Sequence, residues 1–301
     1  MIKFQRIQKY ALCFVFFVFT VNCAVTTSYT PTSFPSHKIW EEKISVIRWI
    51  AYSPTNADPD QGIEADIESI RQDLHVLRAA GFEGLVTYSA GGMTGKRLPY
   101  LAQEYGFRGL IIGIWDPLNQ TEMESAKAIA QNPIVLGYSI GNEGLDKRYK
   151  MPDLLNAIED MKKATDKPVT TTEEIDDYLD ESLLYVGDWI FPNVHPYFHN
   201  LLDPQLAATW TNAAYQDMNR RAENRFVLFK EVGLPTSGDK GGILSEEIQM
   251  RYYQELAKSS VKFVYFEAFD QPWKNSLPVE PHWGLFHSDR TPKQIISQMF
   301  P

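Results

Sequence analysis

Two glutamates, Glu143 and Glu231, stand where long apolar runs of this 301-residue chain stop abruptly. Val135-Leu136-Gly137-Tyr138-Ser139-Ile140 leads into Gly141-Asn142-Glu143, and Phe226-Val227-Leu228-Phe229 leads into Lys230-Glu231. Such runs read as strands buried on both faces, as a parallel sheet requires. A strand that stops on an acid fixes that acid at the mouth of a sheet, where strand-and-helix folds keep their chemistry. Two carboxylates so placed suit the cleavage of a glycosidic bond. One, protonated, gives its proton to the leaving oxygen; the other, ionised, meets the positive charge that builds at the anomeric carbon. The plainer alternative is a pair of acids that merely border a polar rim.

The elements that must position this pair alternate along the chain. Strand-like runs cover 44–52, 85–88, 109–115, 135–143, 169–172, 188–194, 226–231 and 262–269. Between them, helical spacing marks 63–80, where apolar residues fall at 63, 67, 70, 74 and 77, and then 98–105, 122–130, 152–165, 204–224, 245–258 and 292–299. Only the fifth connection is weakly helical. Eight such units predict a single (β/α)8 TIM barrel, an α/β fold, over a doubly wound sheet, which needs fewer strands. In a closed barrel the ends of strands four and seven face one another across the mouth, which makes Glu143 and Glu231 a pair.

Aromatic side chains at strand ends fit a sugar, because a sugar ring stacks its apolar C–H face on an indole or phenol and bonds through its hydroxyl edge. Tyr52, Tyr88, Trp115, Tyr197 and Trp273 are the candidates, and Glu173, closing the fifth strand, adds an acid to the substrate-binding set. Each aromatic has packing as its bland alternative. His195 and His199 have the spacing of a helical ligand pair, but Pro196 follows a strand between them. His282 and His287 lack an acid at ligand spacing, and no Lys-Ser/Thr completes the glycines at 91, 92 and 95 as a phosphate loop. The sequence therefore predicts neither metal nor cofactor.

Composition narrows the partners. A 44% hydrophobic content supports one large core. Lys3, Arg6 and Lys9 precede the apolar run from Tyr10 to Phe19, the layout of a secretory signal over 1–22. Removing three positive and no negative charges takes the net charge from −9 to −12. An acidic chain without clustered Lys and Arg excludes nucleic acid as partner. Residues 23–39, rich in Thr, Ser and Pro, read as a tether, leaving 40–301 as the catalytic domain. Cys13 and Cys23 both lie in or beside the leader, so the domain must be stable without disulfides. Thr20-Val21-Asn22-Cys23 sits where a bacterial lipoprotein places its lipidated cysteine, although Asn22 is a poor match. The expectation is an exported monomer, periplasmic, secreted or held at the outer membrane through Cys23.

Four further stretches share a pattern: Ile140-Gly141-Asn142-Glu143; Lys230-Glu231-Val232-Gly233-Leu234-Pro235-Thr236; Phe266-Glu267-Ala268-Phe269-Asp270-Gln271-Pro272-Trp273-Lys274; and His282-Trp283-Gly284-Leu285-Phe286. In order and spacing they resemble glycoside hydrolase family 17, the β-1,3-glucanase family, in a compact bacterial form. The resemblance implies a retaining mechanism on β-glucan, with Glu143 as general acid/base, Glu231 as nucleophile and Asn142 at the sugar 2-hydroxyl. It also implies substrate-binding roles for Lys274 and Glu280, and it adds weight to Tyr197, which matches a tyrosine near the nucleophile. Gln271 departs from the pattern, since plant members commonly carry an acid there. Two rivals remain: a transglycosylase that uses the same glutamates, and a non-catalytic glycan-binding protein, which predicts decay of the carboxylate pair.

Overall fold

The computed structural model describes residues 35–239 and 241–299. The expected leader and the tether up to residue 34 lie outside them. Eight short parallel strands form one sheet: β1 Trp49–Ala51, β2 Gly84–Val86, β3 Gly109–Ile114, β4 Val135–Ile140, β5 Val169–Thr170, β6 Asn193–Val194, β7 Phe229–Val232 and β8 Phe263–Tyr265. Their order is β5-β4-β3-β2-β1-β8-β7-β6. The two outer strands meet, because the Asn193 N–H donates to the Glu173 carbonyl at 3.0 Å and Glu174 bridges Asn193 in parallel. The ring is thus the (β/α)8 barrel that the alternation predicts.

Around it lie α1 Pro35–Ser45, α2 Ile67–Ala79, α3 Gly92–Glu104, α4 Gln120–Ala128, α5 Met151–Thr165, α6 Pro204–Arg221, α7 Glu246–Leu256 and α8 Ile296–Met299. Short polar side chains fix where several begin, by accepting N–H groups that the first turn leaves unpaired. Asp66 accepts from the Ser69 N–H, Asn119 from Glu122, Asp203 from Leu206 and Ser245 from Ile248. Asp66 explains why α2 starts at residue 67 although its apolar spacing runs back to 63. The fifth connection carries two 3-10 turns, Ile175–Leu179 and Glu181–Tyr185, in place of a helix.

Some bounds differ from expectation: α3 begins at Gly92 and so includes the glycines at 92 and 95, α8 covers only Ile296–Met299, and the largest difference lies before β1. The run 44–52 reads as strand, and 35–39 as tether, yet α1 spans Pro35–Ser45 and β1 starts only at Trp49. The physical reason is on one helix face: Trp40 and Ile44, four residues apart, both turn toward the barrel floor. The Trp40 indole N–H donates to the Leu136 carbonyl at 2.7 Å, and its ring lies 4.8 Å from Trp189 and 5.8 Å from Phe226. Strand alternation then sorts the core. Ile111 joins Trp49, Val86, Leu136, Phe191 and Val264 inside the barrel, while its neighbours Leu110 and Ile112 pack outward under the helices. Gly84 and Gly109 leave the space that the Trp49 indole fills. Among the described residues no helix is long and apolar enough to cross a membrane.

Candidate active site

At the mouth the chain bends hard after β4. Gly141 and Glu143 both adopt left-handed backbone, φ 81 and 50, and a Cβ on Gly141 would strike the Tyr149 hydroxyl. The Glu143 N–H donates to the Thr172 carbonyl at 2.9 Å, so the turn is pinned to the extension of β5. The Glu143 carboxylate projects from it and accepts at Oε1 from the Asn193 amide at 2.5 Å. Glu231 lies within β7, where the pairing register with β8 shifts between Phe229 and Val232. That irregularity breaks the one-in, one-out alternation, and both Lys230 and Glu231 are buried at the mouth.

Oxygens of Glu143 and Glu231 and a ring nitrogen of His195 all lie within 4.8 Å of one another. An approach of one oxygen from each acid this close is compatible with the short spacing, about 5–5.5 Å between carboxyl groups, of glycosidases that form a covalent intermediate, where attack by an interposed water needs about 6.5–9.5 Å. His195 Nε2 is 3.0 Å from Glu231 Oε2. The Lys230 ammonium faces Oε1 at 3.4 Å as an ion pair, and that oxygen has no hydrogen-bond partner. Lys230 also donates to Asn142 Oδ1. An ammonium can only donate, so it fixes the orientation of the Asn142 amide.

Environment separates the two acids. Burial alone would raise Glu231, but Lys230, the His195 hydrogen bond and Lys274 outweigh it and hold the carboxyl at about 2. Glu143 moves the other way: burial and then the charge of Glu231 raise it, against the Asn193 hydrogen bond and His195. One carboxyl is thus kept ionised and the other biased toward its protonated form. Glu143, His195 and Glu231 could also approach a divalent ion. The ammonium beside them opposes a further positive charge.

The remaining predicted residues divide. Trp115 follows β3 directly, with 43% of its surface exposed and with the Arg148 guanidinium stacked 4.5 Å from its ring; Arg148 in turn bonds the Asn142 carbonyl. Tyr88 lies 4.5 Å from the Lys230 ammonium, and Tyr197 packs against Phe198 and Trp283. Lys274 pairs with Glu267 at 2.7 Å, and half-buried Glu280 is raised by burial and lowered by Lys274. Trp273 is half-buried, its indole N–H on Gln271.

Two of the predicted residues commit their polar atoms to other partners. Tyr52 is 1% exposed and its hydroxyl donates to Asp73 Oδ2 at 2.9 Å, inside a buried network with Thr55 and Arg290. Its ring lines the cleft wall, while the hydroxyl is taken up by Asp73. Glu173 is also 1% exposed and accepts from the Tyr149 hydroxyl at 2.8 Å and the Leu145 N–H at 3.3 Å. It braces the loop that carries Glu143, and burial lifts its carboxyl to about 7.

Four side chains at the site were not assigned to it from sequence: Lys230, Asn193, His195 and Glu267. Lys230 was legible as the residue before Glu231, but strand alternation points it away. His195 stands at a strand end, where the sequence offers it only as a metal ligand.

Residues 50–284 match the family described as the BtgE/BtgC glycoside hydrolase domain. A probable glucan endo-1,3-beta-glucosidase btgC of Aspergillus fumigatus is 28% identical over 228 residues, 60% of this chain and 32% of that protein. The chain therefore spans about a third of the length of that relative. A glucan 1,3-beta-glucosidase of Arthroderma benhamiae is 26% identical over 266 residues, 76% of this chain and 83% of that protein. Among solved structures, a glycoside hydrolase family 17 beta-1,3-glucanosyltransferase from Rhizomucor miehei superposes with a TM-score of 0.70 at 23% identity, covering 82% of this chain and 96% of that one.

Proposed function

The chain belongs to the family of BtgE/BtgC glycoside hydrolase domains, and from that premise we propose that it cleaves β-1,3-glucosidic bonds of glucans with retention, through a covalent glycosyl-enzyme. The observation that carries this reading is the spacing of Glu143 and Glu231 within 4.8 Å, with the two carboxyls biased to opposite protonation states. Glu231, ionised and with Oε1 free of hydrogen bonds, attacks the anomeric carbon while Glu143 protonates the departing oxygen. Glu143 then takes a proton from the water that releases the sugar, and its proton returns to it for the next turnover. Lys230 offsets the charge of Glu231 and His195 lies against its Oε2, neither supplying protons to the leaving group. Asn142 is held by Lys230 beside the acid, the position suited to the sugar 2-hydroxyl.

Incubating the purified protein with linear β-1,3-, β-1,4- and mixed-linkage glucans tests the substrate. Cleavage of β-1,3 bonds, with newly formed products of β configuration seen first by NMR, supports the proposal; α products first, or action on β-1,4 bonds alone, overturn it. Product longer than the donor would assign the intermediate to a sugar acceptor, making the protein a transglycosylase with the same two glutamates.

The same reading extends to the unit of action. We propose a compact bacterial form in which the barrel and α1, from residue 35 on, act as a monomer after export behind the 1–22 leader and a tether that ends before α1. The bacterial reading rests on Thr20-Val21-Asn22-Cys23 at the place of a lipoprotein signal. Cys23→Ser should move the protein from the membrane fraction to the soluble one; a wild type that is already soluble and unmodified refutes the lipid anchor.

A further inference from the structure

Resting on the glycosidase reading above, we infer that Gln271 straps Trp273 to the loop after β1 and so closes the glycone side of the cleft, making the enzyme release one short product from chain ends. The geometry starts at Gln271, which is 2% exposed. Its Nε2 donates to the Ser53 carbonyl at 3.0 Å and its Oε1 accepts from the Trp273 indole at 2.8 Å. A side-chain amide can do both at once, whereas an ionised carboxylate only accepts and would face the Ser53 carbonyl oxygen as a second acceptor.

The loop it holds is stiff. Asp58 and Ile63 exchange backbone hydrogen bonds of 2.9 and 2.8 Å, Asp58 caps the turn Pro59–Gln61, and Pro54 and Pro59 limit the backbone. The Glu64 carboxylate packs on Gly92, which holds a left-handed φ of 63, and so joins this loop to the start of α3 after β2. Between these loops and Trp273 lies a pocket of about 280 Å³, lined by Tyr52, Tyr88, Ser89 and Ile63 among others. That is at the small end of ligand pockets, which run to about 300–1,000 Å³. Ala57, Ile63 and Trp273 border both this pocket and a second cleft of about 900 Å³ beyond, and so stand as a ridge between the two.

The pocket belongs to the glycone side. Tyr88 sits 4.5 Å from the Lys230 ammonium and 6.0 Å from that of Lys274, the cations that act on Glu231. The sugar that bonds to Glu231 therefore extends into it. The leaving part lies toward Glu143, where Arg148 and exposed Trp115 offer an open surface.

Early product profiles from a β-1,3-linked hexasaccharide and from a long linear β-1,3-glucan test this, together with viscosity of the polymer. The expected result is one dominant short oligosaccharide from both substrates, with viscosity falling slowly as reducing ends accumulate. A mixed ladder from the start with a rapid viscosity drop overturns the closure and leaves the glycosidase reading intact; no cleavage of any β-1,3-glucan overturns both. Gln271→Glu should then turn the single product into a ladder, a change that lower stability alone would not produce. Trp273→Ala, at a half-exposed position, should do the same and serves if Gln271→Glu does not fold. Variants that both keep the single product overturn the role of the strap.

Discussion

At the floor of the barrel Trp40 packs ring against ring on Trp189 and Phe226, in one apolar cluster with Trp49, whereas the mouth buries Asn142, Lys230, Glu231 and Glu267. The floor is stabilised by removing apolar surface from water, worth roughly 1.5–3 kcal/mol for each large side chain. The mouth loses that stabilisation and offsets the desolvation of its charges only by pairing them. The difference teaches that stability and chemistry are segregated along one axis. A substitution at either end should then change one property and spare the other.

The sharpest way to break this comparison is at Glu231. Glu231→Ala should leave the protein folded and cut activity on β-1,3-glucan by at least about 10⁴-fold. Azide with an activated fluoride donor should restore turnover and give product of inverted configuration. Glu143→Ala with azide and an activated aryl glucoside should instead give retained configuration. Exchange of these behaviours would reverse the two roles, and near wild-type rates in both would place the chemistry elsewhere.

At the opposite end, Trp40→Ala should cost about 3–5 kcal/mol of unfolding free energy, read by denaturant titration. The kcat/KM of the folded protein should stay the same. A loss of activity without a loss of stability would mean that floor and mouth are coupled.

Lys230→Met sharpens the electrostatic side. Without the ammonium, burial of Glu231 is less opposed, its carboxyl rises, and the acidic limb of the pH–rate profile should move to higher pH. The rate at the optimum should fall about 100-fold, just under 3 kcal/mol of barrier. An unmoved acidic limb would remove Lys230 from the control of the nucleophile.

The smallest expected effect concerns Glu173, whose folded carboxyl sits at about 7 against an ordinary value of 4.5. The folded state keeps a proton that the unfolded chain releases, so stability should fall as pH rises from 4.5 through 7. Glu173→Gln cannot ionise and should flatten that slope by on the order of 2 kcal/mol between pH 5 and 8. Identical pH–stability curves for the two proteins would count against the raised carboxyl.

Much of this was legible in the residues. Alternating apolar runs and helix signals gave the eight units, and the abrupt stops at Glu143 and Glu231 gave the pair. What escaped was set by contacts distant in sequence. Residues 44 and 47 look like strand until Trp40 is seen reaching Leu136, some 96 positions away. Lys230 looked outward by alternation, and only the shifted register of β7 turns it in. Tyr52 and Glu173 end strands at the mouth, but Asp73 and Tyr149 claim their polar atoms from other elements.

The seam between β5 and β6 has its own consequence. Those strands are two residues each, and two 3-10 turns stand where a helix would shield them. Amide protons on the exposed turns over 175–185 therefore have little cover over their hydrogen bonds, and hydrogen–deuterium exchange should reach them well before β3 or β4. The barrel should breathe there first, beside the Asn193 that holds Glu143, so that a bound sugar bridging the seam would slow exchange at the very place where the fold is thinnest.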